Sequence, residues 1–183
     1  NRYKRWDLGL VDPMIMMWSK GYEVSIRAMN LRGMVVMTAI AEALEAASYV
    51  NDIRVSEAEI ELTIERSTRR FTEEERSKQP SVFSVVRTIR DLFFSDEDEN
   101  FGLYGAFGYD LTFQFETIKF ARERDPSQRD MVLFLPDSVF VRDHERLEAF
   151  YYEYDFVVDG RDTSMMPREG ISEPFQSKES VEK

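Results

Sequence analysis

Asp110 and Glu116 flank Phe113 and Phe115. A turn of helix between them would bring two carboxylates together, the arrangement that general acid–base catalysis uses. The competing reading makes Asp110 a helix N-cap, placed after a strand and before Leu111-Thr112-Phe113, with its carboxylate accepting from free first-turn amides. Just upstream, Gly102, Gly105 and Gly108 recur at every third position among Tyr104, Phe107 and Tyr109. A phosphate-cradling loop would need a helix N-terminus behind it and a companion Lys or distant acid. The spacing GxxGxxG is not the dinucleotide pattern, and those companions are missing. Glycine inside a strand otherwise marks a close approach of another backbone. On that reading Gly105 and Gly108 admit a neighbouring element while Tyr104, Phe107 and Tyr109 fill the volume beside it.

Other candidate groups carry less. Glu57, Glu59, Glu61 and Glu65 resemble a metal cluster in composition, but alternation sends them to the solvent face of a strand without a histidine. His144 stands between Asp143 and Glu145 in an apparent turn and reads as an exposed residue without catalytic partners. Arg66, Arg69, Arg70, Arg76 and Lys78 would make an anion patch, yet Glu73, Glu74 and Glu75 lie among them, so a surface ion-pair network is expected. The chain has no cysteine, which excludes disulfides, thiolate catalysis and thiolate metal ligation within it.

The elements that would position these residues are legible in outline. Tyr22, Val24, Ile26 and Ala28 share one face of a strand, and Ala58, Ile60, Leu62 and Ile64 share one face of another. The run from Trp6 to Trp18, broken at Asp12-Pro13, supplies two short strands, because proline cannot donate in a central ladder. After Gly33, Val36, Ile40, Ala43, Leu44 and Ala47 recur at helical spacing. Thr72 to Glu75 has capping-box spacing and predicts a short helix. Pro80 opens a longer one with Val82, Val85, Val86, Ile89, Leu92 and Phe93 on its apolar stripe. Ser95 to Asn100 is an acidic turn. Met131 to Leu135 reads as a buried strand, Pro136-Asp137 as a turn into Val139 to Val141, and Phe150 to Val158 as one further alternating strand.

In bulk, 183 residues with 43% apolar content can bury one sizeable core. The net charge of -11 opposes nucleic acid or an anionic membrane as partner. No apolar run approaches the roughly 18 to 20 residues that a membrane helix needs, and no signal-peptide core is visible. The expected organisation is one domain over 1–160 followed by a linker or disordered tail over 161–183, where Ser, Pro, Glu and Lys cannot offset the entropy of ordering. A start at Asn1 rather than Met reads as a piece of something longer.

Four stretches together resemble the amino-terminal half of anthranilate synthase component I, in the form fused to a glutamine amidotransferase. They are Arg2 to Asp7 with Val11-Asp12-Pro13, Phe71 to Lys78, Gly102 to Glu116, and Gln128 to Asp137. The resemblance covers roughly residues 2 to 160 and keeps the family's order. It implies an α+β fold of mostly antiparallel sheet with packed helices, one lobe of the two-lobed αβ sandwich of chorismate-utilising synthases. It also implies that the parent converts chorismate to anthranilate and pyruvate with ammonia from glutamine, using Mg2+ held outside this segment, in the first committed step of tryptophan biosynthesis. The implied partners are the carboxy-terminal chorismate-binding half and the amidotransferase domain, with chorismate and L-tryptophan as the parent's ligands. The implied location is cytoplasmic, or plastidic in an algal member. Arg2 corresponds to a wall of the tryptophan site. Gly102, Gly105, Gly108, Tyr109 and Asp110 form a structural motif, and the segment alone is expected to be inactive, with no catalytic, cofactor or metal residue. Two alternatives stand beside this: the matching domain of an aminodeoxychorismate or phenazine-pathway synthase, and a self-contained acidic binding module.

Overall fold

The computed structural model describes residues 5–66, 79–96, 98–115, 124–125 and 127–168. Within them a six-stranded sheet has the order β4-β5-β3-β2-β7-β6, built from Val50–Val55, Glu59–Ile64, Glu23–Ala28, Ile15–Lys20, Met131–Leu135 and Tyr104–Phe107. A three-stranded sheet, β1-β8-β9, is made of Trp6–Val11, Ser138–Asp143 and Glu148–Glu153, and a small ribbon pairs β10, Val157–Val158, with β11, Arg161–Asp162. Every pairing among these strands is antiparallel. The protein is therefore α+β with mostly antiparallel sheet, as the resemblance implies.

The two larger sheets are one ribbon bent at a shared corner. Ile15 pairs with Leu135 on one side of the bend and Val11 with Ser138 on the other. Between them the first strand turns at Asp12, whose φ of 45° is left-handed, and at Pro13, while its partner turns at Pro136-Asp137. Proline cannot continue either ladder, so both strands break together and the sheet changes direction.

Helices cover one face of the six-stranded sheet. Met17, Ile26, Ile60, Leu62, Leu133 and their neighbours point toward α1, Leu31–Glu45, and α2, Val82–Leu92, in one buried cluster. The α1 residues Val36, Ile40 and Leu44 and the α2 residues Val82, Val85 and Ile89 fill that layer at the spacing of a single helical face. Helix α1 begins two residues before Gly33: the Asn30 side chain accepts from the Gly33 amide at 2.7 Å and caps it. Helix α2 starts after Ser81, not at Pro80, with the Ser81 amide donating to Ser84 Oγ at 3.3 Å.

Two readings change. Strand β4 was not anticipated, because as an edge strand it exposes Asn51, Asp52 and Arg54 and carries a register shift between Val50 and Asp52. The stretch from Phe150 to Val158 is not one strand. Strand β9 ends at Glu153, and Phe156 then turns into a cluster with Phe93 and Phe101 at centroid distances of 5.9 and 5.6 Å. Packed structure continues past residue 160, since Thr163 is fully buried and its amide donates to Phe156 O at 3.0 Å. The helix expected at Thr72 to Glu75 lies outside the described residues, as do Arg2 and Glu116.

Candidate functional site

The glycine motif becomes strand β6 followed by a six-residue 3-10 helix, Tyr109–Gln114. Two glycines, Gly105 within β6 and Gly108 just after it, make contacts that no side chain fits. A β-carbon at Gly105 would enter the Val132 carbonyl, and one at Gly108 would stand 2.9 Å from Asp130 O. The Gly108 amide instead donates to that same oxygen at 2.6 Å. Gly108 occupies the cap position of the 3-10 helix, which corrects the reading of Asp110 as N-cap. Asp110 sits in the first turn and faces outward to Arg124 Nε at 3.0 Å and Gln128 Nε2 at 3.0 Å. Gly102 has open space around it, and Tyr109 is 82% exposed rather than filling volume beside the glycines.

Around that strand end the chain ties four segments into a clasp. Asp130 is buried, and its carboxylate accepts from the Gly21 amide at 2.6 Å and pairs with Arg124. Its own amide donates to Ser19 O at 2.8 Å. The Gln114 side chain donates to Gly21 O at 2.6 Å and accepts from the Val82 amide at 3.0 Å, joining the β2–β3 turn to the start of α2. The Tyr22 hydroxyl donates to Gln114 O at 2.9 Å. Hydrogen bonding to Asp130 holds the Arg124 guanidinium above its ordinary pKa.

A second node lies at the ribbon corner and was not read from the sequence. Arg32, on α1, is completely buried, and its Nε donates to both Asp137 oxygens at 2.9 and 2.8 Å. Its remaining nitrogens donate to Thr163 O, Tyr154 O and, at 3.0 Å, Asp155 Oδ1. Arg168 closes the group from the other side, at 2.7 Å from Asp137 Oδ1 and 2.9 Å from Asp155 Oδ1. Burial alone would lower the pKa of Arg32, but its hydrogen bonds to Asp137 and Asp155 outweigh that and raise it. The network ties Tyr154, Asp155 and Thr163 to α1 just beyond the end of β9.

In both nodes the carboxylates are matched by cations: Asp110, Asp130, Asp137 and Asp155 each meet a guanidinium. His144 has a partner after all, Asp7 Oδ2 at 2.6 Å from Nε2, on the flank of the three-stranded sheet. Glu57, Glu61 and Glu65 are exposed along β5 and its ends, with Glu59 half-buried against Arg27. Among the described residues no three His, Asp or Glu side chains converge as a metal site would require. No helix among them is long and apolar enough to cross a membrane.

The fold and these nodes define an α+β scaffold: one large antiparallel sheet, helices on one of its faces, and polar clasps at its corners. No family model matches the chain. Among curated proteins it is similar to the anthranilate synthase of Azospirillum brasilense, 37% identical over 181 residues, which is 99% of this chain and 25% of that protein. Anthranilate synthase component 1 of Serratia marcescens is 30% identical over 142 residues, covering 76% of this chain and 27% of the relative. The component 1 of Vibrio cholerae serotype O1 is 26% identical over 139 residues, 75% of this chain and 26% of the relative. The similarity to anthranilate synthases covers three quarters or more of this chain in each comparison, and the chain spans about a quarter of the length of those proteins.

Proposed function

We propose that this chain is the amino-terminal, non-catalytic part of an anthranilate synthase large subunit of the fused synthase–amidotransferase type. Its work is structural: it supplies one half of a sandwich against which the chorismate-binding half and the amidotransferase domain sit. The observation that carries the reading is the match over 99% of the chain to a protein four times longer, combined with a sheet that, among the described residues, is clothed by helices on one face. The other face presents Met16, Trp18, Val132 and Phe134 half-buried, with Tyr104 beside them. Such a face is half of a core waiting for its complement.

In this reading the parent takes chorismate and glutamine-derived ammonia to anthranilate and pyruvate at the head of tryptophan biosynthesis. Magnesium supplies charge neutralisation to that chemistry when bound. The described residues here do not fit it, since the buried carboxylates already hold arginines, and no step is placed on this chain. L-Tryptophan is proposed as the parent's inhibitor, with Arg2 in the wall of its site.

The test is a direct assay of the isolated chain with chorismate, Mg2+ and ammonium, following anthranilate fluorescence. No product above the enzyme-free background is expected. Turnover by these 183 residues alone would overturn the assignment of roles.

A further inference from the structure

Ser95, Asp96, Asp98 and Glu99 border one side of a cavity of about 520 Å3 at the C-terminal end of α2. Ile89, Phe93, Phe101 and Leu103 make its apolar walls. Asp96, Asp98 and Glu99 stand at its rim. The volume falls in the range of small-molecule sites, roughly 300 to 1,000 Å3, which combine apolar lining with a few placed polar groups.

The walls are held by packing that does not depend on an occupant. Phe101 lies against Tyr154 at 4.4 Å and against Phe156 at 5.6 Å, and Phe93 meets Phe101 edge-on at 6.3 Å. The Asp98 carboxylate accepts from the Asn100 amide at 2.7 Å, which fixes the turn. Among the described residues one cation reaches the lining, Arg90, and its guanidinium is engaged by Asp91 at 2.5 Å. The rim therefore carries net negative charge over an aromatic and aliphatic floor.

We propose that this cavity is a binding site for a primary amine on an apolar, preferably aromatic, body. The ring would leave water against Phe93, Phe101 and Leu103, where burial contributes about 25 cal/mol per Å2. The ammonium would sit at the rim, donating to Asp96 and Glu99 in charge-assisted hydrogen bonds and facing aromatic rings that favour a cation. An α-carboxylate on the same ligand would enter a negative field with its one nearby cation already taken. The site thus selects amines over amino acids and over carboxylates. This inference does not rest on the parent's activity.

The experiment titrates the full chain by amide NMR with 2-phenylethylamine, L-phenylalanine and 3-phenylpropanoate. Saturable shifts at Phe93, Phe101 and Leu103 are expected with the amine, binding at least tenfold weaker with L-phenylalanine, and none with the propanoate. The double variant Asp96→Asn, Glu99→Gln changes exposed side chains and should weaken the amine at least fivefold, with circular dichroism unchanged. Raising NaCl from 20 to 500 mM on the unaltered protein should weaken it in the same direction, independently of any variant's folding. No shifts with millimolar amine, equal binding of amine and carboxylate, or an affinity indifferent to both salt and the variant would each overturn the proposal.

Discussion

Gly105 runs so close to the backbone of Val132 that the edge strand β6 and its neighbour β7 meet without room for a β-carbon between them. The contact is with a backbone carbonyl oxygen of the β6–β7 ladder, which cannot swing aside as a side chain would. Gly105→Ala should therefore destabilise the chain by about 3 kcal/mol, the upper end of overpacking costs. Gly102, three residues earlier in the same motif, meets nothing within 4 Å. Gly102→Ala should stay within about 0.5 kcal/mol of the parent chain. Paired urea titrations separate the two, and equal midpoints would mean that β6 does not lie against β7 as described.

Arg32 and Asp137 predict a second contrast. Both side chains are fully buried, so Asp137→Asn leaves Arg32 and Arg168 without their shared carboxylate, and a loss of about 3 to 5 kcal/mol is expected. The exposed pair of Arg27 and Glu59, at a similar 2.9 Å, offers the control. Glu59→Gln should change stability by no more than about 1 kcal/mol. Thermal melts of the two variants test whether burial, rather than distance, sets the cost.

What could be read in advance follows from how local each signal is. The β5 alternation of Ile60, Leu62 and Ile64, and the α2 stripe of Val82, Val85 and Ile89, are local patterns repeated at the period of their element, and both elements formed, each with its start a residue or two later than the pattern suggests. Arg32 was invisible because a charged residue beside an apolar stripe reads as surface, and the carboxylate that permits its burial is 105 residues away. Thr163 hid for a similar reason: its burial depends on Arg32 and Phe156, not on the polar sequence around it. The glycine motif suggested close approach, and Gly105 and Gly108 do face backbone, whereas which strand they would approach needed the sheet order. His144 read as solitary because Asp7 is its partner only once β1 pairs with β8.

The carboxylate of Asp143 controls how the start of β1 responds to acid. Burial would raise its pKa, but Arg5, together with the amides of Arg146 and Glu145, prevails and holds it below the ordinary value of 3.8. In that case the unfolded chain binds the proton more readily than the folded one, so stability is present above pH 3.8 and lost as pH falls through the depressed folded value. Asp143→Asn should remove part of the acid-side slope of stability against pH while leaving the slope above pH 6 unchanged. Urea midpoints between pH 2.5 and 7 measure it, and parallel curves for the two proteins would sink the assignment.

The unpartnered apolar surface makes the last prediction. On the three-stranded sheet Leu8 and Phe150 flank the buried Val141 in one cross-strand row, and they are 44% and 42% exposed. Trp6, two residues from Leu8 on the same side, is 47% exposed with Arg5 stacked 4.8 Å from its ring. A contiguous apolar patch of this kind attracts partners or dyes. If it belongs to the seam with the rest of a larger protein, the isolated chain should bind a hydrophobic fluorophore and self-associate at high concentration. The double variant Leu8→Lys, Phe150→Lys should then cut dye fluorescence at least threefold and restore a monomer in analytical ultracentrifugation, with little change in melting temperature, because both side chains are already half in water. A dye-negative, monodisperse parent chain would instead place the seam elsewhere and leave the exposed rings of this sheet as ordinary surface.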